Sequence, residues 1–576
     1  MHVLVAQDGM YAGPTIWLNW SDSAADPYKK GPEARRSPEA RTGLLPFGHC
    51  SGTAMNEKSW SERVAHLSRL AIGCLSLTLN APLSAQTPPT EPIDSLSAAT
   101  STATETTVPP PSAVTPVSRL GPGSEAVTGS GVPAYKLLRY DEDYSYLKDP
   151  DRRTDFWDPI KYIPIGDRED WYVSFGAQSR QWFQFYNNFN FVTTPGPNAF
   201  LTQRYLFHGD FHFGPNIRFF GQLESGLENG RIGGPLPDID ENVFDAHQAF
   251  LDLVQNFGEN DTLTWRVGRQ EMLYGSGRLI DVREGVNLRR SFDAARLLFR
   301  LGDWSVDGFW SKPVLNRPGV FDDIPYPNLS LWGVYAVRPL PWLPDGHTDL
   351  YYLGYENTQA TFDKATPELS TGDELRNSLG TRLWGHPMPW EYDVEAIWQF
   401  GRFGHGSIEA WGIASATRYN FDELPLRPRV GLVADITSGD RNPRSPNLQT
   451  FNPMFPTGAY LNLANPIGPA NFIQLHPSTD VRFGDKVTLL ADWAFVWRES
   501  LDDGIYGPFV GPPIRTGQLS RNPFVGNSPS VTLTWNATRH ITILASYVHF
   551  FAGPFLKETP PGKDMDYVAF WVDYTF

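Results

Sequence analysis

From Trp171 onward the chain alternates apolar and polar residues with a period of two. In Arg204–Phe213, Tyr205, Phe207, Gly209, Phe211 and Phe213 share one face, and Arg204, Leu206, His208, Asp210 and His212 share the other. In Val487–Arg498, Val487, Leu489, Ala491, Trp493, Phe495 and Trp497 form an apolar stripe, with Thr488, Asp492 and Arg498 opposite. Successive side chains of an extended strand point to opposite faces, so this pattern reads as strands with one apolar and one polar side. About 18 such runs can be marked, from Trp171–Tyr186 and Phe200–Phe213 to His540–Phe551 and Asp566–Phe576.

The connections narrow the architecture. They mostly alternate long (Leu227–Val243, Leu273–Ser291, Pro313–Asn328, Gly439–Asn471, Ser500–Asn527, Ala552–Met565) and short (Gly214–Pro215, Gly302–Asp303, Phe483–Asp485, Ala537–Arg539). Outer-membrane barrels have that parity, with long external loops and short periplasmic turns, whereas a soluble sandwich has no reason for it. Gly404–Gly406 is short where a long loop is due and is the place to look for a miscounted strand. No uninterrupted apolar run reaches the ~20 residues of a membrane-spanning helix. A mean hydropathy of −0.34 is too polar for a helical membrane protein. Together with 14% aromatics, 51 Gly and 50 Pro, it suits a barrel. The expected fold class is all-β: a transmembrane antiparallel β-barrel of about 18 strands in the bacterial outer membrane, preceded by a signal peptide and a disordered linker. The last strand, MDYVAFWVDYTF, points Phe570, Val572, Tyr574 and Phe576 one way. It resembles the assembly signal of outer-membrane barrels, which implies recognition of Phe576 by the barrel-assembly machinery.

Ahead of the barrel, residues 1–54 lack periodicity and read as an over-extended start or an unstructured extension. Residues 55–85 have the build of a secretory signal peptide. Lys58, Arg63 and Arg69 precede the apolar Leu70–Leu79, and Leu83-Ser84-Ala85 offers a cleavage site before Gln86. Residues 86–132 are rich in Pro, Ser and Thr and read as a disordered linker. Residues 133–170 are aromatic and charged, and are expected to form a periplasmic lead-in or partial plug; 171–576 is the barrel. The only cysteines, Cys50 and Cys74, precede the barrel, which leaves it without a thiol nucleophile.

One stretch stands apart in a chain of formal net charge −16. Leu263–Arg300 carries Arg266, Arg269, Arg278, Arg283, Arg289, Arg290, Arg296 and Arg300 against Glu271, Asp281, Glu284 and Asp293, a net +4. It reads as strand, long loop, strand. Arg or Lys on the lipid face at the bilayer midplane costs about 2–4 kcal/mol, so ionised strand residues should face the lumen. That assigns Arg204, Asp210, Arg218, Glu224, Asp252, Arg266, Arg296, Arg300, Asp307, Glu395, Arg429, Asp435, Asp492 and Arg498 to a substrate path. Arg278, Arg283, Arg289 and Arg290 belong to the loop, at or folded into the outer mouth. Arg269 has the parity of Val267, so it needs either a bulge at Gly268 or a place above the membrane band. Guanidinium forks fit carboxylates, and rings of Arg favour anions in pores. The competing reading is a set of strand-to-strand salt bridges that fill and stiffen the lumen.

Other features lead to plainer readings. Trp265, Trp304, Trp310, Trp332, Trp493, Trp497 and Trp535 suit interfacial girdles better than sugar-stacking platforms. His208 and His212 share a strand face, but no further metal ligands lie nearby in sequence, so they read as plain lumen histidines. Asp281, Glu284, Asp293 and the pair Asp322-Asp323 hint at loop calcium without a regular ligand spacing. Ser276 lacks the flanks of a nucleophile elbow, and no catalytic constellation stands out. No metal, cofactor or enzymatic activity is expected, and the acidic total argues against nucleic-acid binding.

Several phrases resemble the alginate export family of outer-membrane barrels. They are RYDEDYSYLKDPDRRTDFWDPIKYIPI, RYLFHGDFHFGPNIRFFGQLESGLENG, DAHQAFLDL, WRVGRQEMLYGSGRLIDVREGVNLRRSFDAARL, PGVFDD, SLWGVYAV, FVWRES and WNATRHITILASYVHFFAGPFLKETPPGKDMDYVAFW. The resemblance implies a monomeric 18-stranded barrel that passes an anionic polysaccharide outwards through an arginine-lined lumen, with a possible periplasmic export partner. The turn Asn536–His540 is too short for the periplasmic stopper loop of the alginate exporter, and the longest candidate turn, Arg338–His347, is modest. The alternatives are a general or small-solute uptake porin, a closed structural barrel, and a barrel hydrolase.

Overall fold

The structure, a computed structural model, describes residues 134–258 and 261–576. The expectations for 1–54, 55–85 and 86–132 lie outside the described residues.

Among the described residues, eighteen antiparallel strands close into one barrel, and the two-residue strands Ile163–Pro164 and Ile324–Pro325 pair onto it. The barrel strands are β1 (Trp171–Asn187), β2 (Asn198–Phe213), β3 (Ile217–Asn229), β4 (Asn242–Asn256), β5 (Thr262–Gln270) and β6 (Phe292–Leu301). Then come β7 (Trp304–Leu315), β8 (Leu329–Leu340), β9 (Gly346–Thr361), β10 (Thr371–Gly385), β11 (Trp390–Phe403) and β12 (Gly406–Asn420). The last six are β13 (Arg429–Thr437), β14 (Phe472–Phe483), β15 (Val487–Trp497), β16 (Phe524–Asn536), β17 (Ile541–Ala552) and β18 (Met565–Thr575). Each pairs with its sequence neighbours, and β18 pairs back onto β1 from Gln178↔Thr575 to Asn187↔Asp566. Closure leaves no strand edge, which is what lets a sheet cross a bilayer.

The alternation has the expected result. Phe183, Tyr205, Phe207, Phe219, Leu251, Trp265, Val267, Trp310, Trp398 and Trp493 are exposed on the outside, while Arg180, Arg204, Asp210, Asp252, Arg266, Asp307, Asp393, Glu395 and Asp492 of the same strands are buried inside. The connection at Gly404-His405 is a true tight hairpin on the long-loop side. Phe403 pairs with Gly406, Gly404 has φ +53°, and no strand is hidden there. At the opposite end the longest turn is 421–428, because β8 and β9 extend to Leu340 and Gly346 and shorten the connection expected at Arg338–His347.

The core lies inside the barrel. Met272, Leu279 and Ile280 of the 271–291 loop pack with Phe451, Met454 and Phe455 of the 438–471 loop against Phe292, Phe309, Leu331, Tyr335 and Tyr351 of the wall. The two loops also join by backbone: Asp281 N donates to Phe455 O and Phe455 N to Leu279 O, both at 3.0 Å. Burying a large apolar side chain contributes roughly 1.5–3 kcal/mol, so several such residues offset the cost of ordering long loops. Residues 134–170 cover the short-turn end, where the Trp157 ring stacks on Phe576 at 3.8 Å. Among the described residues no helix is long and apolar enough to cross a membrane.

Candidate functional site: a charged lumen

A cavity of about 400 Å³ at the short-turn end is lined by Arg218, Arg266, Arg296, Arg300 and Arg382, with Asp141, Asp252, Asp307 and Asp349 among them. Tyr140, Tyr274, Phe299, Tyr335 and Trp384 are among the other residues of the lining. Strand parity brings the arginines here, and cross-strand acids orient them. Arg266 grips Asp252 with two bonds of 2.7 and 2.8 Å, and Arg218 grips Asp210 at the same distances. Arg296 pairs with Asp307, and Arg382 lies 2.7 Å from Asp393 and 3.0 Å from Asp349. Arg300 is half-buried and donates to the Ser305 hydroxyl at 3.1 Å. The bidentate pairs fix the orientation of the Arg218 and Arg266 forks at the cavity wall.

Deeper in, the loop arginines meet the wall. Arg278, Arg283, Arg289 and Arg290 are 2–5% exposed. They lie inside the barrel, folded inward with their loop, and do not stand open at its mouth. Arg278 pairs with Glu395 and lies 3.9 Å from Asp435. Glu395 also accepts from the Tyr351 hydroxyl at 2.6 Å, and Asp435 accepts from the Tyr460 hydroxyl at 2.7 Å. Arg289 contacts Glu271 at 2.7 Å and Glu284 at 3.4 Å. Arg283 pairs with Asp238 at 2.9 Å. Arg290 donates to Asp281 O at 3.3 Å and lies over the Phe455 and Phe509 rings at 5.1 and 4.9 Å. Glu284 is the hub. Arg180 reaches it at 3.1 Å and Arg204 pairs with it directly. Burial alone would raise its carboxyl, but Arg204, Arg289 and Arg180 outweigh burial and hold it at about 2. Burial pushes the nearby Asp281 up to about 6 despite Arg290 and Arg289.

His247 extends this network. A register shift between Gln222 and Leu223 turns both His247 and Gln248 inward from β4. His247 then bridges Glu224 and Glu271, each at 2.9 Å. Sequence reasoning missed His247 because an extra residue in a strand is invisible to a strict period of two. Arg180, Asp349, Arg376, Arg382 and Asp393 were also missed, although each lies in a marked run on the polar parity that identified its neighbours. Glu271 and Glu284 stand out in the sequence only as acids of the Leu263–Arg300 stretch.

The remaining expected residues have structural surroundings. Arg429 pairs with Asp480 at 2.7 Å near the short-turn end. Asp492 accepts from His476 at 2.8 Å and Ser530 at 2.6 Å. Arg498 lies just past β15, where it donates to the carbonyls of Leu501, Asp503, Gly517, Ser520 and Asn522 and organises the outer loop. Arg269 needs no bulge. It stays in register opposite Asp293, at the long-loop end of β5, and binds that carboxylate at 2.8 Å. Gly268 has φ +133°, and a Cβ there would stand 2.2 Å from Ala249 O.

His208 is buried and stacks on Phe220, and His212 lies 3.0 Å from Asp210. Asp322 and Asp323 come together with Asp245, one oxygen from each within 4.8 Å of the others. Arg269 Nη1, 3.7 Å from Asp245, already supplies a compensating charge.

The family model described as alginate export matches residues 171–570. No curated protein matches. Among solved structures, Pseudomonas aeruginosa OccK2 (OpdF) in complex with glucuronate is 10% identical, covers 72% of this chain and 98% of its own, and superposes with a TM-score of 0.46. P. aeruginosa OccK8 (OprE) is 12% identical, with 70% and 98% coverage and a TM-score of 0.47. A BenF-like porin from Pseudomonas fluorescens Pf-5 is 10% identical, with 70% and 98% coverage and a TM-score of 0.47.

Proposed function

Because the chain belongs to the alginate export family, we propose that this outer-membrane barrel passively conducts an anionic, uronate-rich polysaccharide out of the periplasm. The observation that carries the reading is the cavity at the short-turn end, where five guanidiniums line one space together with the aromatic side chains of Tyr140, Tyr274, Phe299, Tyr335 and Trp384. A uronate polymer presents a carboxylate on every sugar, and Arg binds carboxylates through a planar, permanently charged fork. The interleaved acids Asp252, Asp307 and Asp349 keep each contact weak enough to be exchanged for the next, as conduction requires. Binding alone then supplies no direction, which synthesis behind the barrel would set.

The inward loops favour a second reading. Arg278, Arg289 and their acids cross the mid-barrel in buried pairs, and a passage narrowed in this way suits uptake of small carboxylates. Single-channel recording in planar bilayers separates the two. Export of a polymer predicts an anion-selective pore blocked by oligouronates more strongly as their length grows. Block by a monomeric uronate equal to that by its oligomers would favour the small-solute reading, and a cation-selective pore untouched by uronates would overturn both.

A further inference from the structure

Residues 135–142 enter the lumen from the short-turn end and meet the inward loop there. Leu138, Arg139 and Tyr140 are 3–6% exposed. The Tyr140 hydroxyl donates to Glu271 O at 2.9 Å, and Arg289 Nη2 donates to Leu137 O at 2.9 Å. Arg218 donates to Tyr140 O, and the Arg266 guanidinium lies 4.5 Å from the Tyr140 ring centre. That ring packs edge-on against Phe220 and Phe250 of the wall. Outside, Arg139 bonds Glu142 at 2.8 Å and Phe576 O at 2.9 Å. The segment and the 271–291 loop thus form a continuous layer across the β2–β6 side of the barrel. Two arginines of the cavity, Arg218 and Arg266, are engaged by the segment's own backbone and ring.

Asp141 follows directly. It lines the same cavity as Arg218 and Arg300, and its charge acts on both. We propose that residues 135–142 are a removable stopper, with Asp141 standing where a carboxylate of the transported polyanion sits. The inference rests on the polyanion reading above. An entering chain competes with Asp141 for the arginines, and displacement of the stopper opens the passage beside the loop. The contacts are suited to this. Besides the packing of Leu138 and Tyr140 against Phe220, Phe250 and Val282 and the bond between the Tyr135 hydroxyl and His540, the segment is held by arginine-to-carbonyl hydrogen bonds, and Arg218 and Arg289 can exchange theirs for ligand oxygens.

The test uses the full-length protein in planar bilayers, with folding checked by heat-modifiable electrophoretic migration. Arg139→Ala with Tyr140→Ala should release the segment and raise single-channel conductance about twofold or more. Unchanged conductance in the folded double variant overturns the stopper. Should that variant not assemble, Asp141→Asn decides. It keeps the segment's shape but removes the competing carboxylate, so tetra-uronate added from the short-turn side should block at about tenfold lower concentration. An unchanged blocking concentration overturns the stand-in role. A wild-type channel that uronates do not block at all would instead sink the polyanion reading, while the conductance comparison would still judge the stopper.

Discussion

Arg278→Ala tests whether buried ion pairs seat the 271–291 loop inside the barrel. The Arg278 guanidinium and the Glu395 carboxylate are 2% and 4% exposed, so neither charge has water to fall back on. Removing one partner of a buried pair costs roughly 3–5 kcal/mol, mostly because the other charge is left uncompensated. Here the lower end applies, since Glu395 keeps the Tyr351 hydroxyl at 2.6 Å and Ser276 at 3.2 Å. About 3 kcal/mol changes the ratio of seated to unseated loop by about two orders of magnitude. Single-channel records should then show frequent or lasting excursions to a higher conductance. Arg278→Met with Glu395→Gln removes both charges, and should lie much closer to wild type than Arg278→Ala does. Unchanged conductance and open lifetimes in a folded Arg278→Ala channel would refute the idea that this pair holds the loop.

Further outcomes follow from other sites. Arg300→Glu should lower the anion preference while assembly survives, because the side chain is half-buried and its hydrogen bond goes to a hydroxyl; bi-ionic reversal potentials read the change. Gly268→Ala should lower the temperature of heat-induced unfolding or prevent assembly, since φ +133° and a 2.2 Å approach to Ala249 O leave no room for Cβ. Lys161, in the segment covering the short-turn end, is pushed down to about 7, chiefly by burial and then by Arg139. The unfolded segment therefore binds the extra proton between about pH 7 and the ordinary lysine value near 10.4, and docking strengthens as pH rises through that window. Limited proteolysis of residues 142–170 should slow from pH 7 to pH 9.5, and Lys161→Met should flatten the dependence.

Much of the fold was legible because a closed barrel writes its geometry into every strand. Val487–Trp497 shows its lipid face, and the loop parity shows its two ends. What parity cannot show is where a long loop goes. Ile280 and Phe455 look like ordinary loop hydrophobics until their burial against each other shows that both loops turn inward. The same limit applies to charge. The inward direction of Arg204 follows from the cost of a lipid-facing guanidinium, but its partner Glu284 sits 80 positions away on a loop with no periodicity. His247 was hidden by one extra residue opposite Gln222–Leu223, and Arg498 by a strand that ends one residue before it.

The proposed function requires that this acidic protein enclose a lumen that favours anions. The reversal potential of the wild-type channel under a tenfold KCl gradient tests it most directly. The arginine-lined cavity predicts a sign set by chloride, with the potential moving toward zero as oligouronates occupy the pore. A sign set by potassium, unaffected by uronates, would rule out an anion-favouring lumen.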